Sequence, residues 1–328
     1  MNGLELAKEY FDAYGEPMLV EFPELAGKIA VGLAGSGSEC LGYDDEISRD
    51  HDFEPGFCIF AFVDDEGDGT DRTLSRREAF LLERAYAKLP KEFRGFHRGA
   101  MSPVGGNRRG LVEIADFLQK TTGSQNGSMT PFSWLKTPEM SLLEASGGQI
   151  WKDEGNVFIP IREKLAYLPE DIRRKKLAGA LLLMAQSGQY NYTRCVRRGE
   201  TGAAQLACFT FAENAIHAAH LLARRYLPYY KWAFRSLREL DGTAGGAPAG
   251  FYTELANDLE GLLTSPNDAE TAESKYFVIE DVAARLIGRL IDAGLTQANC
   301  GDLEKHAYSV NDSVEDAELR NMHILSGV

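Results

Sequence analysis

Asp50 and Asp52 stand two residues apart, a short way after a turn of small residues, Gly35-Ser36-Gly37-Ser38. On a β-strand, side chains at i and i+2 leave the same face about 7 Å apart. On a helix they would diverge by about 200°. Only a strand would let both carboxylates converge on one or two hard cations. Mg²⁺ favours such oxygen ligands and keeps substrate phosphates and waters as the rest of its shell. Glycines let a backbone approach a ligand closely, successive N–H groups in a turn that opens a helix form an anion nest, and serine hydroxyls add donors. Together the residue types suit a site that grips a phosphate chain and a divalent metal.

Two apolar runs must position this chemistry. Residues 29–34 lead into the turn and residues 57–63 lead out of the aspartate stretch. The order predicts a strand, a tight turn, a short helix or loop, and a strand carrying the two aspartates.

Gly35-Ser36, or Gly37-Ser38, followed by Asp50-His51-Asp52 in an apolar setting resembles the signature of the DNA polymerase β-like nucleotidyltransferase superfamily. The longer phrase over residues 35–53 resembles a bacterial family of uncharacterised nucleotidyltransferase-like proteins with a helical C-terminal domain. Gly188-Gln189-Tyr190-Asn191-Tyr192 and Tyr226-Leu227-Pro228-Tyr229-Tyr230-Lys231-Trp232 extend that likeness over most of the chain. The resemblance implies an α+β protein, with an N-terminal nucleotidyltransferase-fold mixed sheet and flanking helices, then an all-helical C-terminal domain. It also implies a third carboxylate from a later strand. Glu113 is the candidate by position, with Asp116 behind it. That group would complete the metal shell or act as base towards an acceptor hydroxyl.

The 328 residues suit two domains and the composition is that of a globular chain, with 44% hydrophobic residues. With 35 basic against 49 acidic residues the net charge is −14. That argues against broad nucleic-acid binding, which needs a basic surface. It does not argue against a nucleotide, because a bound metal offsets local carboxylates. The five cysteines, Cys40, Cys58, Cys195, Cys208 and Cys300, are widely spaced and form no CxxC pair. They read as thiols of a reduced, cytoplasmic protein. Cys40 lies near the turn, where it is either reactive or a small buried side chain. The N-terminus has no basic-then-apolar signal pattern, and no apolar run nears the roughly 18 residues of a membrane span.

Along the first half, residues 4–14 read as a helix closed by Gly15 and broken at Glu16-Pro17. Residues 64–69 are acidic and Gly-rich but lack the terminal Glu of an EF-hand, so they read as a solvated loop. Residues 72–89 read as a helix. Residues 93–109 form a long loop in which His97, Arg98, Arg108 and Arg109 either meet a triphosphate or are solvated. Residues 111–114 read as a strand, 131–135 as a packed loop, 140–145 as a short helix, and 149–158 as a weakened hairpin with Asp153 in its turn. The first domain is placed at residues 1–160.

From residue 161 to 328 helical periods take over, beginning at Pro169-Glu170-Asp171 and ending with one helical stretch over 302–321. The resemblance makes this half an acceptor-binding domain. Tyr190, Arg194 and Arg198 could set aromatic faces and guanidinium forks against a nucleotide or acceptor, and Lys231 could reach a triphosphate. The alternative is that these rings pack helices while the charges reach solvent. Glu213 and His217, i and i+4 on one helix, form either an acceptor-side base pair or a structural pair.

The expected function is Mg²⁺-dependent (with Mn²⁺ as substitute) transfer of a nucleoside monophosphate from an NTP, ATP among them, to a hydroxyl of a small acceptor. Asp50 and Asp52 would be the catalytic metal ligands, and Gly35, Ser36, Gly37 and Ser38 the phosphate turn. The rival reading is a non-catalytic nucleotide-binding or regulatory protein on the same fold.

Overall fold

The computed structural model describes residues 1–47, 53–64, 72–98, 109–243, 245–268 and 270–328. The chain divides into two compact units: Met1–Met129 with Ser141–Ala166, and Thr130–Met140 with Tyr167–Val328. The first is built on a mixed sheet with flanking helices. The described elements of the second are all helical. The architecture is α+β.

In the first unit, α1 (Gly3–Tyr10) starts at an Asn2/Glu5 capping box. The expected break at Glu16-Pro17 is absent. A π-helical turn over Phe11–Gly15 passes directly into α2 (Glu16–Leu19). Proline breaks a helix by lacking an N–H and crowding the carbonyl four residues back. Here Pro17 falls in the first turn of a new segment, where its N–H is not needed.

The sheet follows from two buried runs. β1 (Ile29–Leu33) is buried throughout and β2 (Cys58–Asp64) over its first four residues. They pair antiparallel, with Ile29 opposite Ala61 and Gly32 opposite Cys58. The other edge of β2 pairs in parallel first with β6 (Gly110–Glu113) and then with β3 (Thr73–Ser75). β7 (Gln149–Lys152) pairs antiparallel with β1 through an irregularity at Val31/Gly32. A Cβ on Gly32 would lie 2.1 Å from the Gln149 carbonyl, so only glycine allows this approach.

Alternation along β2 feeds two cores. Ile59 and Ala61 join Tyr10, Phe11, Leu74, Leu82 and Tyr86 on one face. On the other, Phe60 meets Phe117 and Phe158 with ring centroids 5.6 and 4.6 Å away. Thus α4 (Arg76–Ala87) and α5 (Ile114–Thr122) cover opposite faces.

Other expectations need correction. The helix expected over 72–89 starts at Arg76, because β3 takes residues 73–75 and Ser75 makes a capping box with Glu78. The expected loop from Phe93 begins with a small hairpin, β4 (Glu92–Phe93) against β5 (Phe96–His97). The hairpin expected over 149–158 has one strand only. After β7, Asp153 accepts from the backbone N–H groups of Val157, Phe158 and Ile159 at 2.7, 3.0 and 2.7 Å, which turns the chain into α8 (Ile159–Lys164).

In the second unit, residues 131–135 form not a loop but α6 (Pro131–Lys136), capped by the Thr130 hydroxyl. α7 (Glu139–Ser146) follows and is shared between the units. α9 (Glu170–Met184) continues through a π-helical stretch, Ala185–Tyr192, into α10 (Thr193–Arg197). Then come α11 (Thr201–Leu222), a 3₁₀ turn at Tyr230–Trp232, α12 (Ala233–Thr243), α13 (Phe251–Thr264) and α14 (Ala272–Asp292). The stretch expected as one helix over 302–321 is two, α15 (Leu303–Asp312) and α16 (Ala317–Asn321), the second capped by Asp316. No helix among the described residues is long and apolar enough to cross a membrane.

Candidate functional site

The turn leaves the buried end of β1. Gly35 and Gly37 have φ of +115° and +138°, where L side chains are strained. Ser38 opens α3 (Ser38–Leu41), a single helical turn. Beside Gly37 lies a carboxylate: a Cβ built there would meet both Glu39 oxygens within 2.7 Å. Glu39, 7% exposed, pairs with Arg109, 6% exposed, Nη2 to Oε1 3.1 Å.

A cavity of about 350 Å³ in this unit gathers Gly35, Ser36, Arg109, Glu113, Asp116 and Lys120, floored by Cys58 and Phe60. The strand directions order its contents. β1 runs antiparallel to β2, and β6 runs parallel to it. Their exits therefore lie at opposite ends of the paired stretch. Arg109 precedes Gly110, which faces Cys58, at the turn end. Glu113 faces Ala61, three residues or about 10 Å further along. Glu113 is the N-cap residue of α5 but makes no capping hydrogen bond. Asp116 follows in the first helical turn, where the dipole favours a negative charge.

The structure thus brings Gly35, Ser36, Glu113 and Asp116 to one cavity, with Gly37 and Ser38 continuing the turn. Asp50, Asp52 and Arg108 lie outside the described residues. β2 begins at Cys58, and residues 53–57 before it are not strand. Among the described residues no three of His, Cys, Asp and Glu form a cation-holding group. The cavity's side-chain oxygen donors, Ser36, Glu83, Glu113, Asp116, Thr121 and Glu144, are of the hard type that suits Mg²⁺.

Cys40 is a packed side chain, 4% exposed, and burial, aided by the neighbouring Glu39 charge, raises its thiol far above the ordinary value, which disfavours the thiolate. Arg98 lies over the Tyr86 ring at 4.9 Å and donates to the Leu89 carbonyl.

In the helical unit, the Arg194 guanidinium lies 3.5 Å from the centroid of the Tyr190 ring, which is 53% exposed. Arg198 ends α10 and is exposed. Lys231 lies 5.2 Å over Trp232. Tyr192 turns inward instead. Its hydroxyl is buried with no hydrogen-bond partner among the described residues, and burial pushes it up to about 12.

His217 does not pair with Glu213. Its Nε2 meets Glu139 Oε1 at 2.7 Å. Glu139 Oε2 also accepts from the Leu227 N–H at 3.2 Å, and Lys176 Nζ stands 4.0 Å from Oε1. Burial alone would raise this carboxyl. The His217 hydrogen bond and charge, then Lys176 and the Leu227 N–H, outweigh burial and hold it below the usual range. Neither Arg109 nor Glu139 figured among the leading candidates. Their partners lie 70 and 78 residues away, beyond any local pattern.

The sequence pattern of the family described as "Domain of unknown function (DUF4037)" matches residues 134–233. No curated protein matches the chain. Among solved structures, the chain is similar to a nucleotidyltransferase-like protein from Exiguobacterium sibiricum 255-15. The identity is 13%, the coverage 87% of this chain and 76% of that one, and the TM-score 0.36.

Proposed function

We propose that the protein is a nucleotidyltransferase that moves a nucleoside monophosphate from an NTP to a hydroxyl of a small acceptor and releases pyrophosphate. One observation carries the reading. The Gly35-Ser36 turn, which precedes Asp50-x-Asp52 in the sequence, opens onto a cavity that also holds the cations Arg109 and Lys120 and the carboxylates Glu83, Glu113, Asp116 and Glu144.

The backbone N–H groups of residues 35–38 and the hydroxyls of Ser36 and Ser38 would hold the terminal phosphates. Asp50 and Asp52 would hold Mg²⁺ or Mn²⁺. A bound cation of this kind neutralises phosphate charge and orients the leaving group. Glu113, at the far end of the cavity from the turn, would accept a hydrogen bond or proton from an acceptor hydroxyl. In the helical unit, the exposed Tyr190–Arg194 stack, Arg198 and Lys231 offer a ring face and positive charge for recognising nucleotide or acceptor. The test is calorimetric titration of NTPs into wild type and Asp52→Asn. Binding lost in the variant supports the reading. Binding of no NTP to folded wild-type protein refutes it.

A further inference from the structure

We propose that Arg109 is the phosphate-binding cation of this cavity, that Glu39 occupies its guanidinium while the cavity is empty, and that an incoming polyphosphate displaces the Glu39 carboxylate. The proposal rests on the phosphate-turn reading and adds a partner exchange to it.

Three observations converge. First, Arg109 is the charged residue at the turn end of β6, while Glu113 sits at the other end. Second, the Glu39 carboxylate packs against Gly37 and pairs with Arg109, so an anion already lies on the turn. Third, the Arg109 stem is held in place. A Cβ on Gly56 would lie 3.1 Å from its Cγ and 2.8 Å from the Tyr86 hydroxyl, which accepts from the Phe57 N–H.

A buried guanidinium stripped of its anion is costly, so it is kept paired in both states. A phosphate matches its donor fork at least as well as a single carboxylate does and carries more charge. Glu39 would give way through its own rotamers, because α3 is one turn long and held by the Tyr43 N–H donating to the Ser38 carbonyl. The exchange thus makes Glu39 a competitor of the ligand. Removing its charge should tighten polyphosphate binding while loosening the empty protein.

The probe is inorganic tripolyphosphate, titrated by calorimetry without metal into wild type, Glu39→Gln, Glu39→Asp, Arg109→Gln and the Glu39→Gln/Arg109→Gln double variant. Thermal unfolding of each is followed in parallel. Glu39→Gln is expected to unfold at lower temperature alone yet to bind about tenfold more tightly, equivalent to about 1.4 kcal/mol. Arg109→Gln should weaken binding, and the double variant should lose the gain. If Glu39→Gln does not fold, Glu39→Asp decides, with a smaller gain expected. Unchanged or weaker binding in the folded Glu39 variant overturns the proposal, as does a gain that survives in the double variant. NTP titration of wild type separates the two readings. NTP binding without a Glu39 effect sinks the exchange alone. A tripolyphosphate gain without NTP binding sinks the nucleotide reading alone.

Discussion

Glu139→Ala isolates a buried charge network of the helical unit. Glu139 is 8% exposed and Lys176 5%. The substitution removes the anion facing both Lys176 and His217, and it leaves the Leu227 N–H without its acceptor. Lys176 keeps its hydrogen bond to the Gly327 carbonyl but not a counter-charge in this cluster. Breaking a buried pair by removing one partner costs about 3–5 kcal/mol. For a unit of this size that corresponds to a fall in Tm of about 6–20 °C. Thermal unfolding followed by circular dichroism at neutral pH reads it. The pH dependence has a fixed sign. The folded carboxyl titrates below its unfolded value, so its stabilisation is complete above about pH 4.5. It is lost as the pH falls through the lower folded value. A variant that unfolds within about 2 °C of wild type at pH 7 would refute the reasoning. So would a wild-type-to-variant difference that grows as the solution is acidified.

Two further outcomes are expected. His220 is fully buried, bonded to the Ile216 carbonyl and the Ser236 hydroxyl, and burial lowers it to about 4. The unfolded chain therefore takes up the proton first, and stability should fall between about pH 6.5 and pH 4, a slope that His220→Gln should flatten in pH-dependent urea unfolding. Asp153→Ala deletes the acceptor of three backbone N–H groups at the start of α8 and should cost about 1–2 kcal/mol in the same assay, whereas no change would mean the turn stands without it.

The parts of the fold that were legible are those where burial imposes a pattern over several residues. The runs at 29–34 and 57–63 announce β1 and β2 because both faces of these strands are covered. The long helices of the second half announce themselves by their period and by signals such as Pro169-Glu170-Asp171. Short elements were not legible. β3 has three residues, held by pairing with β2 rather than by its own propensity. α6 was hidden by Pro131, although Thr130-Pro131 is itself a helix start once the proline is placed in the first turn. Pro17 misled for the same reason. At the site, Gly35-Ser36 could be named from the motif, and Glu113 only by its position in a later strand. Which end of the cavity each occupies depends on strand direction, which no spacing encodes. The Glu39–Arg109 and Glu139–His217 pairs are products of tertiary folding, and the i, i+4 rule pointed to Glu213 in place of Glu139.

The central claim is that a nucleotide is held at the turn by metal-binding aspartates. Calorimetric titration of ATP, GTP, CTP and UTP, each with Mg²⁺ and with EDTA, into wild type and Asp52→Asn tests it most directly. The account predicts that at least one NTP binds wild type with Mg²⁺, and that this binding is lost with EDTA and in a folded Asp52→Asn variant. NTP binding of equal strength in all three conditions would contradict it.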